Sequence, residues 1–245
     1  MSRYTRVIAL ALPFALLSAC DNTSPDSQPI ALSFSSQAPT AAANADITVT
    51  IGANTLVITK AQIVVRRVKL KPAETAAATC TDDDSSTDDC PEIQTGPVLV
   101  DLPLTPNAVT TVNATVPAGT YSKVDFRIHK ATDDAADAAF RAANPNFDGV
   151  SIRLEGTYNG AAFVFTSDLT EKQELTFATP LVVDAAGTIT PNLTIQVDVN
   201  SWFKSGGVLV DPRTANKGGA NENVVKQNIR ASLRAFRDDD KNGRE

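Results

Sequence analysis

"TYNGAAF", residues 157–163, decides the fold. Asn159 and Gly160 both tolerate positive φ, and a two-residue type I′ turn needs that at both central positions. Before the turn, Val150, Ile152 and Leu154 alternate with Ser151, Arg153 and Glu155. A period of two puts one set of side chains inside and the other in water. Two such runs joined by two residues form an antiparallel hairpin.

The same period continues on both sides. Ile47, Val49 and Ile51 alternate with Thr48 and Thr50, and "IGANT" (51–55) reads as a second, looser hairpin turn. Val98, Val100 and Leu102 alternate in "VLVDL". Val124, Phe126 and Ile128 alternate with Lys123, Asp125, Arg127 and His129, and Leu193, Ile195, Val197 and Val199 with Thr194, Gln196 and Asp198. In "QIVVRRVKL" the apolar phase shifts from Ile63 and Val65 to Val68 and Leu70, which predicts a bulge at Arg66-Arg67. Many short half-buried strands with frequent turns predict a mainly β fold, an antiparallel β-sandwich of prealbumin or immunoglobulin type over residues 30–200.

After residue 200 the period changes. In "ENVVKQNIRASLRAF", Val225, Ile229, Leu233 and Phe236 recur at helical spacing. Residues 201–245 are therefore expected as a loop, a C-terminal α-helix and an acidic tail packed on the sandwich. The alanine-rich segment 131–149 reads as an insertion between strands, with a short helix that stops before Pro145.

The front of the chain is of another kind. Arg3 and Arg6 precede an apolar run from Val7 to Leu17, broken only by Pro13. Eleven residues span roughly 16 Å as a helix, about half a bilayer core, so the run reads as a secretory signal rather than a membrane span. Leu17-Ser18-Ala19-Cys20 at its end resembles the lipobox of bacterial lipoproteins. That resemblance implies a signal peptide over 1–19, cleavage before Cys20, and acylation there with palmitate-type chains. Residues 20–29 would then be a lipid-anchored tether, and the domain would sit in the cell envelope, facing the periplasm or the cell surface.

The 245 residues carry net charge −6, and losing Arg3 and Arg6 with the leader makes the remainder −8. This excludes nucleic acid as a partner, because phosphates demand a basic face. It also argues against electrostatic docking on anionic lipid, leaving the lipid at Cys20 as the membrane contact. The three cysteines fit the same scheme: with Cys20 acylated, Cys80 and Cys90 remain to form a disulfide in an oxidising compartment.

"VVRRVKL" (64–70), "VLVDLPLTPN" (98–107) and "VPAGTYSKVDFRI" (116–128) resemble an uncharacterised domain family of bacterial and archaeal lipoproteins over roughly residues 45–200. The resemblance implies a prealbumin-like sandwich and an envelope location. It brings no activity with it.

Candidate sites are few. Cys80 and Cys90 enclose nine residues, among them Asp82, Asp83, Asp84, Asp88 and Asp89. Oxygen ligands such as Asp82, Asp84 and Asp88 suit Ca²⁺; the alternative is a solvated loop tip stapled by the disulfide. In "FRDDDKNGRE", Asp238, Asp240, Asn242 and Gly243 match positions 1, 3, 5 and 6 of a calcium loop entered by a helix, but the position-12 glutamate would fall beyond Glu245. Trp202-Phe203 beside a glycine-rich stretch reads either as a sugar-stacking platform or as a hydrophobic plug. His129, the only histidine, shares a strand face with Asp125 and Arg127 and reads as a surface residue. No G-x-S-x-G, P-loop or H-E-x-x-H motif occurs, so no catalytic residue stands out. The expected role is a non-enzymatic one: a membrane-anchored lipoprotein that binds a protein or glycan partner or is structural. The alternative is a Ca²⁺-stabilised carbohydrate-binding module.

Overall fold

The computed structural model describes residues 27–36, 46–73, 92–94, 96–105, 109–187 and 190–245. Cys20, Cys80, Cys90, Asp82, Asp84 and Asp88 lie outside them.

In chain order the strands are β1 (Ser27–Ser36), β2 (Ile47–Ile51), β3 (Asn54–Pro72), β4 (Glu92–Gln94), β5 (Val98–Asp101), β6 (Thr110–Pro117) and β7 (Gly119–Ile128). They continue as β8 (Ile152–Tyr158), β9 (Ala161–Ser167), β10 (Glu171–Val183), β11 (Asn192–Val197), β12 (Lys204–Ser205), β13 (Val208–Leu209) and β14 (Leu233–Arg237). The helices are α1 (Ala138–Ala143) and α2 (Glu222–Ala231). The smaller sheet has the order β14-β11-β1-β6; the larger has β10-β7-β3-β8-β9, with β2, β4 and β5 also pairing along β3. Pairing is antiparallel, except that β1 runs parallel to β11. The molecule is a mainly β, antiparallel sandwich with a short helix before its last strand.

Side-chain alternation builds the core. Ile30, Leu32 and Phe34 of β1 and Leu193, Ile195 and Val197 of β11 face Ile63, Val65, Val124, Phe126, Ile152 and Leu154 of the larger sheet, all 2% exposed or less. The Asn159-Gly160 turn is as expected: both residues have positive φ, 51° and 78°, and Tyr158 pairs with Ala161. Gly52 (φ 61°) turns β2 into β3. The bulge also lies where the phase shift puts it. Arg67 has φ 53°, and the β3–β7 register slips between Arg66 and Lys69.

Two boundaries differ from the sequence reading. Strand β1 starts at Ser27, so Ser27, Gln28 and Pro29 belong to the sheet and not to a tether. The C-terminal helix holds Val225 and Ile229 on its buried face but ends at Ala231. Leu233 and Ala235 then continue as β14, whose antiparallel pairing with β11 extends the smaller sheet by one edge strand. Leu233 and Phe236 fit a helical repeat, yet a strand is what closes the sheet. The segment after residue 200 therefore contributes to the sandwich itself.

The insertion behaves as its composition suggests. Helix α1 ends before Pro145, and Phe140 and Phe147 pack with Val64 and Ala131 in a second small core on the outer face of the larger sheet.

Candidate functional site

The outer face of β10-β7-β3 gathers charge that no single strand displays. Register places Arg66, Arg127 and Lys172 side by side, then Lys69, Asp125 and Glu174, then Lys71 and Lys123. The acids sit among the cations. Lys71 Nζ lies 2.6 Å from Glu174 Oε2, Lys123 Nζ 3.0 Å from Glu174 Oε1, and Lys172 Nζ 3.0 Å from Asp125 Oδ2. Hydrogen bonds from Lys71 and then Lys123 hold the Glu174 carboxyl below its usual range. Such a face suits carboxylate or phosphate groups, and here Asp125 and Glu174 already occupy its middle. Sequence reasoning missed it, because the alignment of three strands depends on the Arg66-Arg67 bulge and on register, which composition does not carry.

Where this face meets the insertion, His129 joins a buried cluster. Its parity is as expected, on the face of Asp125 and Arg127, but it is 9% exposed rather than on the surface. Segment 131–149 covers it and delivers Asp137, which is fully buried. His129 Nε2 lies 2.8 Å from Asp137 Oδ2, the Thr132 amide donates to the same oxygen at 2.9 Å, and Arg66 faces Asp137 Oδ1 at 3.5 Å. Burial opposes the charge on Asp137. The Thr132 amide, His129 and Arg66 outweigh it and hold the carboxyl below the usual carboxylate range. Nothing in "DDAADAAF" marked this aspartate over its neighbours. The cluster ties the insertion to the sheet: the imidazole is bonded to the carboxylate, and the carboxylate also to the Thr132 amide.

The candidate calcium ligands of the tail do come together, in a different setting. Strand β14, not a helix, leads into the loop. Asp238 is 3% exposed; its Oδ2 accepts from Thr194 Oγ1 at 2.7 Å and from the Gly243 amide at 2.9 Å, and its Oδ1 accepts from the Asn242 amide at 3.1 Å. Asn242 Nδ2 donates to Asp240 Oδ2 at 2.6 Å, and Asn242 Oδ1 accepts from the Arg244 amide at 2.8 Å. The Gly243 carbonyl accepts from Gln196 Nε2 at 2.9 Å and from Ser35 Oγ at 3.3 Å. The tail thus lies over the outer face of the smaller sheet, where Ser33, Ser35, Asn192 and Thr194 are at most 1% exposed. Its carboxylates organise the tail. Among the described residues no group of three or more His, Cys, Asp or Glu is placed to hold a metal ion.

Trp202 separates the two readings of its segment. The ring is fully buried and donates from Nε1 to Ser232 Oγ at 2.9 Å. Phe203 packs edge-on against Phe165, with ring centres 5.1 Å apart. The pair is the hydrophobic plug, and Trp202 has no free face on which a sugar could stack. Among the described residues no helix is long and apolar enough to cross a membrane.

Fold and surface together define a β-sandwich with one charged outer face and one covered by its own tail. No family model and no curated protein matches the chain. Among solved structures it is similar to MbnP from Methylosinus trichosporium, at 12% identity and TM-score 0.45, over 79% of this chain and 82% of that one. A likeness this remote assigns neither ligand nor chemistry.

Proposed function

We propose that the chain is an envelope lipoprotein, held at a membrane by acyl chains on Cys20, whose β-sandwich binds a partner or serves a structural role and is not an enzyme. One observation carries this reading: Leu17-Ser18-Ala19-Cys20 follows a short apolar run and precedes a polar spacer. The single histidine is bonded to Asp137 and buried beneath the insertion. Burial of Trp202 removes the main support for glycan binding, so a protein partner or a purely structural role is the better reading.

Feeding producing cells a clickable fatty acid tests the anchor. The wild-type protein is expected to take up label and sediment with membranes, and Cys20→Ala to lose both properties. Label persisting on Cys20→Ala would overturn the proposal.

A further inference from the structure

Between the end of α2 and the end of β11 lies a cleft whose hydrogen-bonding atoms are mostly of one kind. We infer that this cleft, lined by Gln196, Asp198, Ser201, Asn228, Ser232 and Arg234, is a binding site for a free α-amino acid, with the ammonium on Asp198 and the Asn228 side-chain oxygen and the carboxylate on Arg234. The site does not depend on the proposed lipidation.

The backbone frames it. Strand β11 gives way at Asp198 to a single helical turn, Val199–Ser201, and the Asp198 amide donates to the Ser232 carbonyl at 2.9 Å, just past the end of α2. The cleft measures about 170 Å³. A cavity of about 150 Å³ holds benzene, and a small amino acid such as alanine is no larger.

The side-chain donors around the cleft are spent on backbone carbonyls. Asn228 Nδ2 donates to Trp202 at 2.9 Å and to Lys204 at 2.8 Å. Two carbonyls fix that orientation, since only the nitrogen can donate to them, and Oδ1 is left as an acceptor. Gln196 Nε2 donates to Gly243 at 2.9 Å, Ser201 Oγ to Asp198 at 2.8 Å and Ser232 Oγ to Ile229 at 2.7 Å. Asp198 Oδ1 accepts from Asn200 Nδ2 at 3.2 Å, which leaves Oδ2. The C-terminus of α2 adds partial negative charge. A pocket of acceptors around one carboxylate suits an ammonium group.

Arg234 is the exception. It is exposed, and among the described residues no ion pair joins it to Asp198. Arg234 pairs with Gln196, and Asp198 follows two residues further on the same face, so the two charges stand on a diagonal of roughly 7–8 Å. An α-amino acid carries ammonium and carboxylate on one carbon and can bridge that diagonal, with the guanidinium taking the carboxylate through paired hydrogen bonds.

The molecule carries its own reporter. Trp202, the only tryptophan, is bonded to two lining residues, donating to Ser232 Oγ at 2.9 Å and accepting from Asn228. The purified full-length protein is titrated with L-alanine while tryptophan emission is followed, with calorimetry as the second readout. A saturable response with a midpoint in the millimolar range or below is expected. Alaninamide, which lacks the carboxylate, and N-acetylalanine, which lacks the ammonium, should bind about tenfold more weakly or worse. Asp198→Asn and Arg234→Gln should each weaken alanine binding to the same degree, with a ligand-free Tm within about 2 °C of the parent. Ala231→Phe, which fills the cleft from an exposed position on α2, should abolish the response. If either charge variant melts far below the parent, the two analogues and Ala231→Phe decide. No saturable response by either readout to L-alanine, glycine or L-serine would overturn the inference. So would alaninamide binding as tightly as alanine, which makes the cleft a site for simple ammonium groups, and so would undiminished affinity in Ala231→Phe, which puts the amino acid elsewhere.

Discussion

The hydroxyl of Tyr121 gives "PAGTY" its physical meaning. The ring is 3% exposed, and its oxygen donates to the Pro117 carbonyl at 2.7 Å, clamping the turn between β6 and β7. Burial raises the pKa of this phenol, so it stays a donor across the physiological range. Tyr121→Phe leaves the carbonyl without that donor and is expected to lower stability by about 1–2 kcal/mol in urea titration. Asp137 supplies a second expectation. Its native pKa is depressed, so its charge contributes stability that is complete above the ordinary carboxylate value and is lost as pH falls through the lower native value. Melting curves from neutral to acid pH should fall less steeply for Asp137→Asn than for the parent; an identical acid limb would disprove the role. Legibility at this scale was uneven. The strand face of His129 could be read from parity, but its burial could not, because the cover comes from another segment. The two readings of Trp202 could be separated only by seeing what lies above the ring.

At the scale of elements, turn chemistry and period two located most strands. The Asn159-Gly160 hairpin and the Arg66-Arg67 bulge are local consequences of residue type, and both are where the sequence places them. The boundary between α2 and β14 was hidden, since apolar residues at 225, 229, 233 and 236 satisfy a helical repeat and pairing with β11 overrides it for the last two. Gly156 was hidden for a similar reason. In isolation it weakens a strand, yet here a Cβ would overlap the Val57 carbonyl oxygen, where the β3–β8 register slips between Ile58 and Lys60. Gly156→Ala must push the two strands apart and is expected to destabilise by about 2–3 kcal/mol in denaturant titration. An unchanged midpoint would show that the strands yield freely.

For the molecule as a whole, the class of fold was legible because alternation recurs throughout, while the covering of the smaller sheet was not. "DDDKNG" suggests a metal loop by spacing alone, but its leading carboxylate accepts from Thr194 and from the tail's own amides. Asp238→Ala strands those donors and is expected to remove about 2–3 kcal/mol, which for a chain of this size is a drop of roughly 5–10 °C in Tm. The drop should be the same with millimolar Ca²⁺ and with chelator. A parent protein whose Tm falls on chelation, with no further loss in Asp238→Ala, would instead assign a cation to the tail.

Strand β1, the first described segment, sits between β6 and β11, and its partner β11 lies some 160 residues later in the chain. During synthesis, the earliest strand to emerge must wait for nearly the last. Closing so distant a pair is entropically slow, and until it happens Ile30, Leu32 and Phe34 have no permanent neighbour on that side. A polypeptide interrupted before residue 192 would keep a sticky, half-finished edge, so newly made copies depend on being shielded until their final quarter arrives.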